Sequence, residues 1–63
     1  MNYIYLILLE VEGFEYIDTH IVGAHSNEER ALEIVIWLND RLNEIDKKTF
    51  LYTWKKVKVH GYI

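Results

Sequence analysis

The segment from Asn2 to Glu12 restricts the possible folds of this chain more than any other, because it is apolar at nearly every position. A strand that is apolar on both of its sides is typical of the middle of a sheet that is covered on both faces. We therefore predict that this segment is a central β-strand. It has an aliphatic set of side chains (Ile4, Leu6 and Leu8) on one side and a tyrosine set (Tyr3, Tyr5, Ile7 and Leu9) on the other.

Three further segments complete the predicted fold. Gly13 marks a turn before a second strand over residues 16–24, and residues 50–63 return to the alternating pattern of a strand. A helix between the second and third strands has to cross the sheet, which places the third strand beside the free edge of the first. The chain is therefore predicted to be a single α+β domain over residues 1–63, with element order ββαβ. Its three-stranded antiparallel sheet has strand order 2-1-3, and one helix packs on one side of it.

The predicted helix starts at a capping box, Ser26-Asn27-Glu28-Glu29, with Ser26 as the N-cap. At about 100° per residue, one apolar stripe follows along the helix. The stripe consists of Ala31, Val35, Leu38, Leu42 and Ile45. We expect it to cover the side of the sheet that carries the aliphatic set.

The opposite side of the sheet then has no second helix to cover it. Large exposed apolar patches mark interaction sites, and Tyr and Trp are residues that interfaces favour. This side is therefore predicted to be the contact surface of a homodimer. Its candidate interface residues are Tyr3, Tyr5, Ile7, Trp54, His60 and Tyr62.

A second candidate surface lies on the flanks of the helix. Leu32 and Ile36 fall on one side of the inner stripe, and Trp37 falls on the other side among charged residues. A tryptophan with a polar rim is typical of an interface hot spot. We expect Leu32, Ile36 and Trp37 to contact a partner protein while the sheet contacts the second copy. The opposite assignment, in which the helices pair in the dimer, is the alternative.

The length of the chain supports the prediction of a homodimer. A chain of 63 residues buries only about 60% of its surface on folding, so domains of this size often depend on disulfides, metals or oligomerisation. Cysteine is absent, which excludes disulfides and thiolate metal sites. Oligomerisation is the stabilising device that remains, and no cofactor is predicted.

The motifs of the sequence predict a non-enzymatic protein. Asp18, His20 and His60 lie on the two outer strands, with the central strand between them, so a closed zinc site is not expected. No serine or threonine lies in a nucleophile motif, and the glycines are too far apart to form a phosphate-binding loop.

The apolar segments also indicate the cellular compartment in which the protein is expected. The longest uncharged apolar run, Tyr3–Leu9, is much shorter than the roughly 20 residues of a membrane-spanning helix. No basic segment precedes this run and no small-residue cleavage site follows it, so an export signal is not expected. Because cysteine is also absent, we expect a cytoplasmic protein without membrane contact.

The charges are unevenly distributed along the chain. All ten acidic residues lie within residues 10–46. The last strand instead carries Trp54, Lys55, Lys56 and Lys58. A small nucleic-acid-binding protein that uses this aromatic and lysine-rich strand is therefore the alternative function. The net charge of −3 opposes it, because an acidic protein repels phosphate.

Three segments of the chain resemble short uncharacterised proteins encoded by phages and prophages. They are Tyr3–Ile7, the strand Asp18–Gly23 with the helix start that follows it, and Val57–Tyr62. The resemblance implies a ββαβ fold and supplies no catalytic residues. Phage proteins of this size with known roles are mostly inhibitors or adaptors that bind host proteins, including defence complexes. By this analogy, the chain is expected to inhibit or redirect a bacterial protein in the cytoplasm of the host cell.

Overall fold

The computed structural model describes residues 2–13 and 15–59. Its elements are β1 (Asn2–Glu12), β2 (Ile17–His25), α1 (Glu28–Asp40), a 3-10 turn (Asp46–Lys48) and β3 (Phe50–Val59). Both β2 and β3 pair with β1 in the antiparallel direction, so the sheet has the order β2-β1-β3. The predicted α+β fold, its ββαβ order and its central first strand are confirmed.

The hairpin between β1 and β2 turns at a glycine for a steric reason. The Gly13 N–H donates a hydrogen bond to the Tyr16 carbonyl oxygen at 2.8 Å. A Cβ atom built on Gly13 would also lie 2.8 Å from that oxygen, which is closer than real Cβ atoms come to backbone. Glycine is therefore required here because the backbone of the turn approaches it so closely.

A β-bulge interrupts β2 at Val22. Ile7 of β1 is opposite Gly23. The next residue of β1, Leu8, is opposite Ile21, which leaves Val22 without a partner. Strict alternation would place Gly23 on the same side of the sheet as Ile21, but the extra residue separates them. Gly23 instead lies on the side of Ile7, whose Cδ1 would be 3.8 Å from a Cβ built on the glycine.

The helix begins one residue later than the capping box predicted. Asn27 is the N-cap, and its Oδ1 accepts a hydrogen bond from the Arg30 N–H at 3.1 Å. The backbone of Asn27 is still extended, with φ −111° and ψ 121°, as is usual for an N-cap residue. The prediction of Ser26 as the cap is therefore wrong, because its neighbour, an equally good capping residue, takes the role.

The helix also ends earlier than its apolar stripe predicted. α1 stops at Asp40, and Ile45, the last residue of the stripe, is 77% exposed. The backbone tightens at this end, because the Arg41 and Leu42 N–H groups donate to the carbonyl oxygens three residues earlier, those of Leu38 and Asn39. Beyond it, the Asn43 Oδ1 accepts a hydrogen bond from the Asp46 N–H at 2.8 Å at the start of the 3-10 turn. Asparagine side chains compete with helix geometry for backbone N–H groups in this way.

The core lies between α1 and the tyrosine set of β1. Tyr5 and Ile7 are 8% and 2% exposed, and Ala31 and Val35 of the helix are 0% and 7% exposed. The aliphatic set is only partly buried. The prediction that the helix covers the aliphatic set is therefore wrong, although the two sets themselves are divided as predicted.

Differences in side-chain size explain why the helix lies on the tyrosine set. The rings of Tyr5 and Trp54 are 5.9 Å apart between centroids and tilted by 56°, an arrangement that favours aromatic pairs. Ala31 on the helix is fully buried and is small enough to let α1 approach this side of the sheet closely. We call this side of the sheet the helix face. It carries Tyr3, Tyr5, Ile7, Leu9, Gly23, Tyr52 and Trp54.

One side chain connects the last turns of α1 to the outer edge of β3. The Asn39 Nδ2 donates to the Tyr52 carbonyl oxygen at 2.9 Å, and the Asn39 Oδ1 accepts from the Tyr52 N–H at 2.9 Å. The amide group thereby bonds to this edge as a neighbouring strand would.

Candidate protein-interaction surfaces

The side of the sheet opposite α1 has no cover within the described part of the chain. Ile17 and Ile21 on β2 are 61% and 66% exposed, and Leu51 on β3 is 52% exposed. The aliphatic set of β1 lies between these strands and is shielded only partly by them. We call this surface the open face. It consists of Ile4, Leu6, Leu8, Ile17, Ile21, Leu51, Val57 and Val59.

The molecule exposes more surface than a folded monomer of its mass should. Its accessible surface is 5276 Å², whereas about 4,300 Å² is expected for a folded chain of 7.6 kDa. The radius of gyration is 13.4 Å, against about 11 Å for a compact chain of this length. The uncovered side of the extended sheet contributes to this excess of about 1,000 Å².

Two residues predicted as open contacts lie in the core. Tyr5 and Ile7 are buried beneath α1, so the prediction that they form an exposed dimer surface is wrong. Trp54, predicted with them, is partly buried on the same face and packs against Tyr5. These residues stabilise the fold and are not available to a partner while α1 covers them.

Tyr3, another residue predicted on this surface, lies toward one end of the sheet, opposite Lys58. Tyr3 is 37% exposed, and the Lys56 Nζ is 4.1 Å from the centroid of its ring. A cation over an aromatic ring at this distance is an attractive contact. His60 and Tyr62 lie outside the described residues.

The helix residues predicted to contact a partner are exposed. Leu32, Ile36 and Trp37 are 43%, 53% and 56% exposed. They lie on two flanks of α1: Leu32 and Ile36 follow the same side as Asn39, which contacts β3, whereas Trp37 lies toward β2. The structure therefore separates them into two small surfaces on the helix side of the molecule.

A shallow cleft of about 380 Å³ lies beside Trp37. It is lined by His25, Arg30, Glu33, Ile34 and Trp37. The Arg41 guanidinium carbon is 4.5 Å from the centroid of the Trp37 ring. An aromatic ring with a charged rim has the composition of a protein-binding hot spot.

The lysines of β3 do not share one surface. Lys55 is opposite Leu6 and lies on the open face, whereas Lys56 and Lys58 lie on the helix face with Trp54. Binding of single-stranded nucleic acid uses aromatic rings beside a continuous basic track. Strand alternation divides this track between the two sides of the sheet, so the geometry does not favour it.

The hairpin end of the sheet combines acidic and basic side chains. A depression of about 290 Å³ there has Glu10, Glu12, Lys47 and Lys48 among its lining residues. Exposed charges of opposite sign in such a place interact weakly in water. Within residues 2–13 and 15–59, no three His, Asp or Glu side chains approach closely enough to hold a metal ion.

The aliphatic residues of the open face were missed as a contact surface, because the most apolar set was assigned to the core. The polar residues of the strands could not have found it, because both sides carry them: Thr19, Thr53 and Lys55 lie with the aliphatic set, whereas Asp18, His20 and Lys56 lie with the tyrosine set. The small size of Ala31, which is fully buried, is the one signal that fits packing on the side with large rings.

No helix in the part of the chain that the structure describes is long and apolar enough to cross a membrane. No protein-family model matches the chain, and no curated protein or solved structure is significantly similar to it.

Proposed function

We propose that this chain is a non-enzymatic protein-binding module that works as a homodimer, with the open faces of two copies packed against each other. The observation that supports this proposal is the exposure of Ile17, Ile21 and Leu51 on a side of the sheet that α1 does not cover. Burying apolar surface gains about 25 cal/mol per Å². Association that removes this face from water is therefore favourable.

The aliphatic open face suits a second copy as its occupant. The molecule as a whole has about 1,000 Å² more surface than a compact chain of its mass, and a standard interface removes roughly 800 Å² from each partner. Two sheets that pack in this way lie about 10 Å apart with interdigitated side chains. A two-fold contact brings a flat aliphatic surface against an identical one, which needs no other complementary partner.

The thin core of the single chain supports the same contact. Among the described residues, the buried apolar side chains are those of Tyr5, Ile7, Ala31 and Val35. All of them lie on the helix side of β1 or on α1. A second sheet against the open face would bury β1 on both sides, as its apolar composition requires.

Sedimentation from micromolar to millimolar concentration, with Leu8→Lys as the variant, tests the proposal. Leu8 lies in the middle of the open face, opposite Ile21 on one strand and Thr53 on the other. A charge there should abolish the contact, because an ammonium group would be buried without a partner. Circular dichroism would show that the variant is still folded.

The matched control is Ile45→Lys, which introduces the same charge at a 77% exposed position outside the sheet. We expect Ile45→Lys to associate like the wild type. A wild-type mass of 7.6 kDa over the whole range would contradict the homodimer. Unchanged association of Leu8→Lys would contradict the open face as its interface.

Within this proposal, the helix side binds the second partner, a bacterial protein. Leu32, Ile36 and Trp37 are on the opposite side of the molecule from the open face, so they remain exposed when the open faces pack. The resemblance to phage-encoded proteins supports a role as an inhibitor or adaptor, and host defence complexes are candidate targets.

Calorimetry with the purified partner tests this assignment, after the partner has been identified by crosslinking in a bacterial lysate. Trp37→Ala should weaken binding by about 2 kcal/mol or more and leave the homodimer intact. Ile45→Ala, another exposed apolar residue, is the control and should bind normally. If Trp37→Ala instead dissociates the homodimer, the helices form the two-fold contact and the two surfaces exchange roles.

A further inference from the structure

The outer edge of β2 directs three pairs of backbone groups away from the sheet. The Glu12 N–H donates to the Thr49 carbonyl oxygen at 2.8 Å, so the backbone at Glu12 points away from β2. Its partner Ile17 therefore turns its own N–H and C=O outward. Antiparallel pairing repeats this orientation at every second residue, which adds Thr19 and Ile21.

The other edge of the same sheet is protected. Asn39 bonds to both outward backbone groups of Tyr52. Lys55, Lys56 and Lys58 follow along the strand. Covering side chains and lysines are the means by which natural proteins discourage pairing at a sheet edge. Residues 17–25 of β2 contain no lysine, arginine or proline, so β2 is the edge that another strand can join.

The sequence of this edge is complementary to itself. It reads Ile17-Asp18-Thr19-His20-Ile21. When two copies of it run antiparallel about a two-fold axis at Thr19, isoleucine meets isoleucine and threonine meets threonine. Asp18 of each copy then meets His20 of the other. The isoleucine and threonine pairs are the ones whose backbone groups point outward, so each can exchange both backbone hydrogen bonds.

We propose that β2 pairs with β2 of a second copy of this chain, antiparallel and centred on Thr19. The pairing joins two three-stranded sheets into one continuous sheet. Asp18 and His20 are both exposed on the helix face, opposite Val11 and Leu9 of β1. Across the two-fold axis they form acid–imidazole pairs, which stabilise neighbouring strands.

This contact is separate from packing of the open faces and does not depend on it. A two-fold axis through Thr19, perpendicular to the sheet, leaves both helices on one side and both open faces on the other. If the open faces also pack, the two contacts together give a tetramer. If they do not, the edge contact alone gives a dimer.

Thr19→Pro tests the edge contact by sedimentation. Proline removes the outward N–H at the centre of the pairing and leaves the bonds between β1 and β2 intact, because that N–H is not used by β1. The sedimenting mass at saturation should fall by half. The matched control is Thr19→Val, which keeps the backbone donor and the branched shape and should associate like the wild type.

A charge series tests the same contact without proline. His20→Glu places like charges opposite each other twice across the axis and should weaken association about tenfold. Combining it with Asp18→Lys restores opposite charges in both pairs and should recover the wild-type affinity. A folded Thr19→Pro variant with wild-type mass would overturn the edge contact, as would failure of the double variant to recover what His20→Glu loses.

The two proposed interfaces can be tested separately, because each has its own variant. Loss of mass on Leu8→Lys but not on Thr19→Pro would retain the open-face dimer and refute the edge contact. The reverse result would retain the edge contact and refute the open-face dimer. If both contacts form, the variant that combines Leu8→Lys with Thr19→Pro should be the monomer.

Discussion

The side-chain amide of Asn39 is bonded at both of its ends to the backbone of Tyr52, with both distances at 2.9 Å. The contact joins α1 to β3, and both residues are partly buried. It fixes the position of the helix along the sheet at the end away from Asn27, its N-cap.

Asn39→Ala should lower the free energy of unfolding by about 2 kcal/mol, because two backbone groups of Tyr52 lose partners at a partly buried site. Urea unfolding followed by circular dichroism would measure it, at one protein concentration because unfolding of an oligomer depends on concentration. Asn43→Ala is the control. It removes a single exposed hydrogen bond, from the Asp46 N–H. The free energy of unfolding should therefore fall by less than about 1 kcal/mol, which is under half the loss expected for Asn39→Ala. Equal losses would argue against a special role of Asn39.

The N-cap makes a second prediction that separates adjacent residues. Asn27→Ala should destabilise the fold by about 1 kcal/mol, because the Arg30 N–H loses its acceptor. Ser26→Ala should change the unfolding midpoint only slightly, since Ser26 does not cap the helix. A larger effect at Ser26 than at Asn27 would place the start of the helix one residue earlier.

Substitution by alanine should affect stability differently at Gly13, in the hairpin turn, and at Gly23, in β2. Gly13→Ala should lower the free energy of unfolding by about 1–3 kcal/mol, because the new Cβ would lie 2.8 Å from the Tyr16 carbonyl oxygen. Gly23→Ala places a Cβ 3.8 Å from the Ile7 Cδ1, an ordinary contact, and should be neutral or slightly stabilising. Thermal unfolding of the two variants would measure this difference, and equal destabilisation would be inconsistent with the geometry of the turn.

The position of the helix makes a fourth prediction. Ile7→Ala should cost about 2–5 kcal/mol because it opens a cavity beneath α1. Ile36→Ala, at a 53% exposed position on the helix, should stay within about 0.5 kcal/mol of the wild type. Unfolding should be measured in the Leu8→Lys background, in which the open faces cannot pack. In that background, a larger loss for Leu6→Ala than for Ile7→Ala would show that the helix covers the aliphatic set.

The strand order could be predicted because one segment is so unlike the others. Asn2–Glu12 is apolar on both sides, so it had to be central, and the alternation of Val57 and Val59 with Trp54 assigned β3 correctly to the two sides. Alternation cannot say which of two apolar sides the helix covers, because both satisfy the pattern equally. That choice depended on how side chains of different size, such as Ala31 and the rings of Tyr5 and Trp54, fit together, which a hydrophobic pattern does not weigh.

The errors in predicting the helix ends and the bulge also have physical causes. Ser26 and Asn27 are nearly equal as capping residues, so the sequence cannot decide between them. The apolar period continues to Ile45, but the helix ends at Asp40, where the backbone changes to shorter-range hydrogen bonds. Val22 is a residue that regular strands favour, and it gives no sign of a bulge. For the surfaces, helical periodicity predicted the exposure of Leu32, Ile36 and Trp37, whereas their partner stays a prediction.

The pairing of Asn39 with the β3 edge at Tyr52 also bears on how large an assembly can become. A sheet with two available edges can add copies head to tail without limit, which is the geometry of a fibril. A sheet with one available edge that matches itself stops growing when two copies have met. The carboxamide of Asn39 and the lysines of β3 thus limit growth of the sheet at this edge, by contacts remote from the apolar open face.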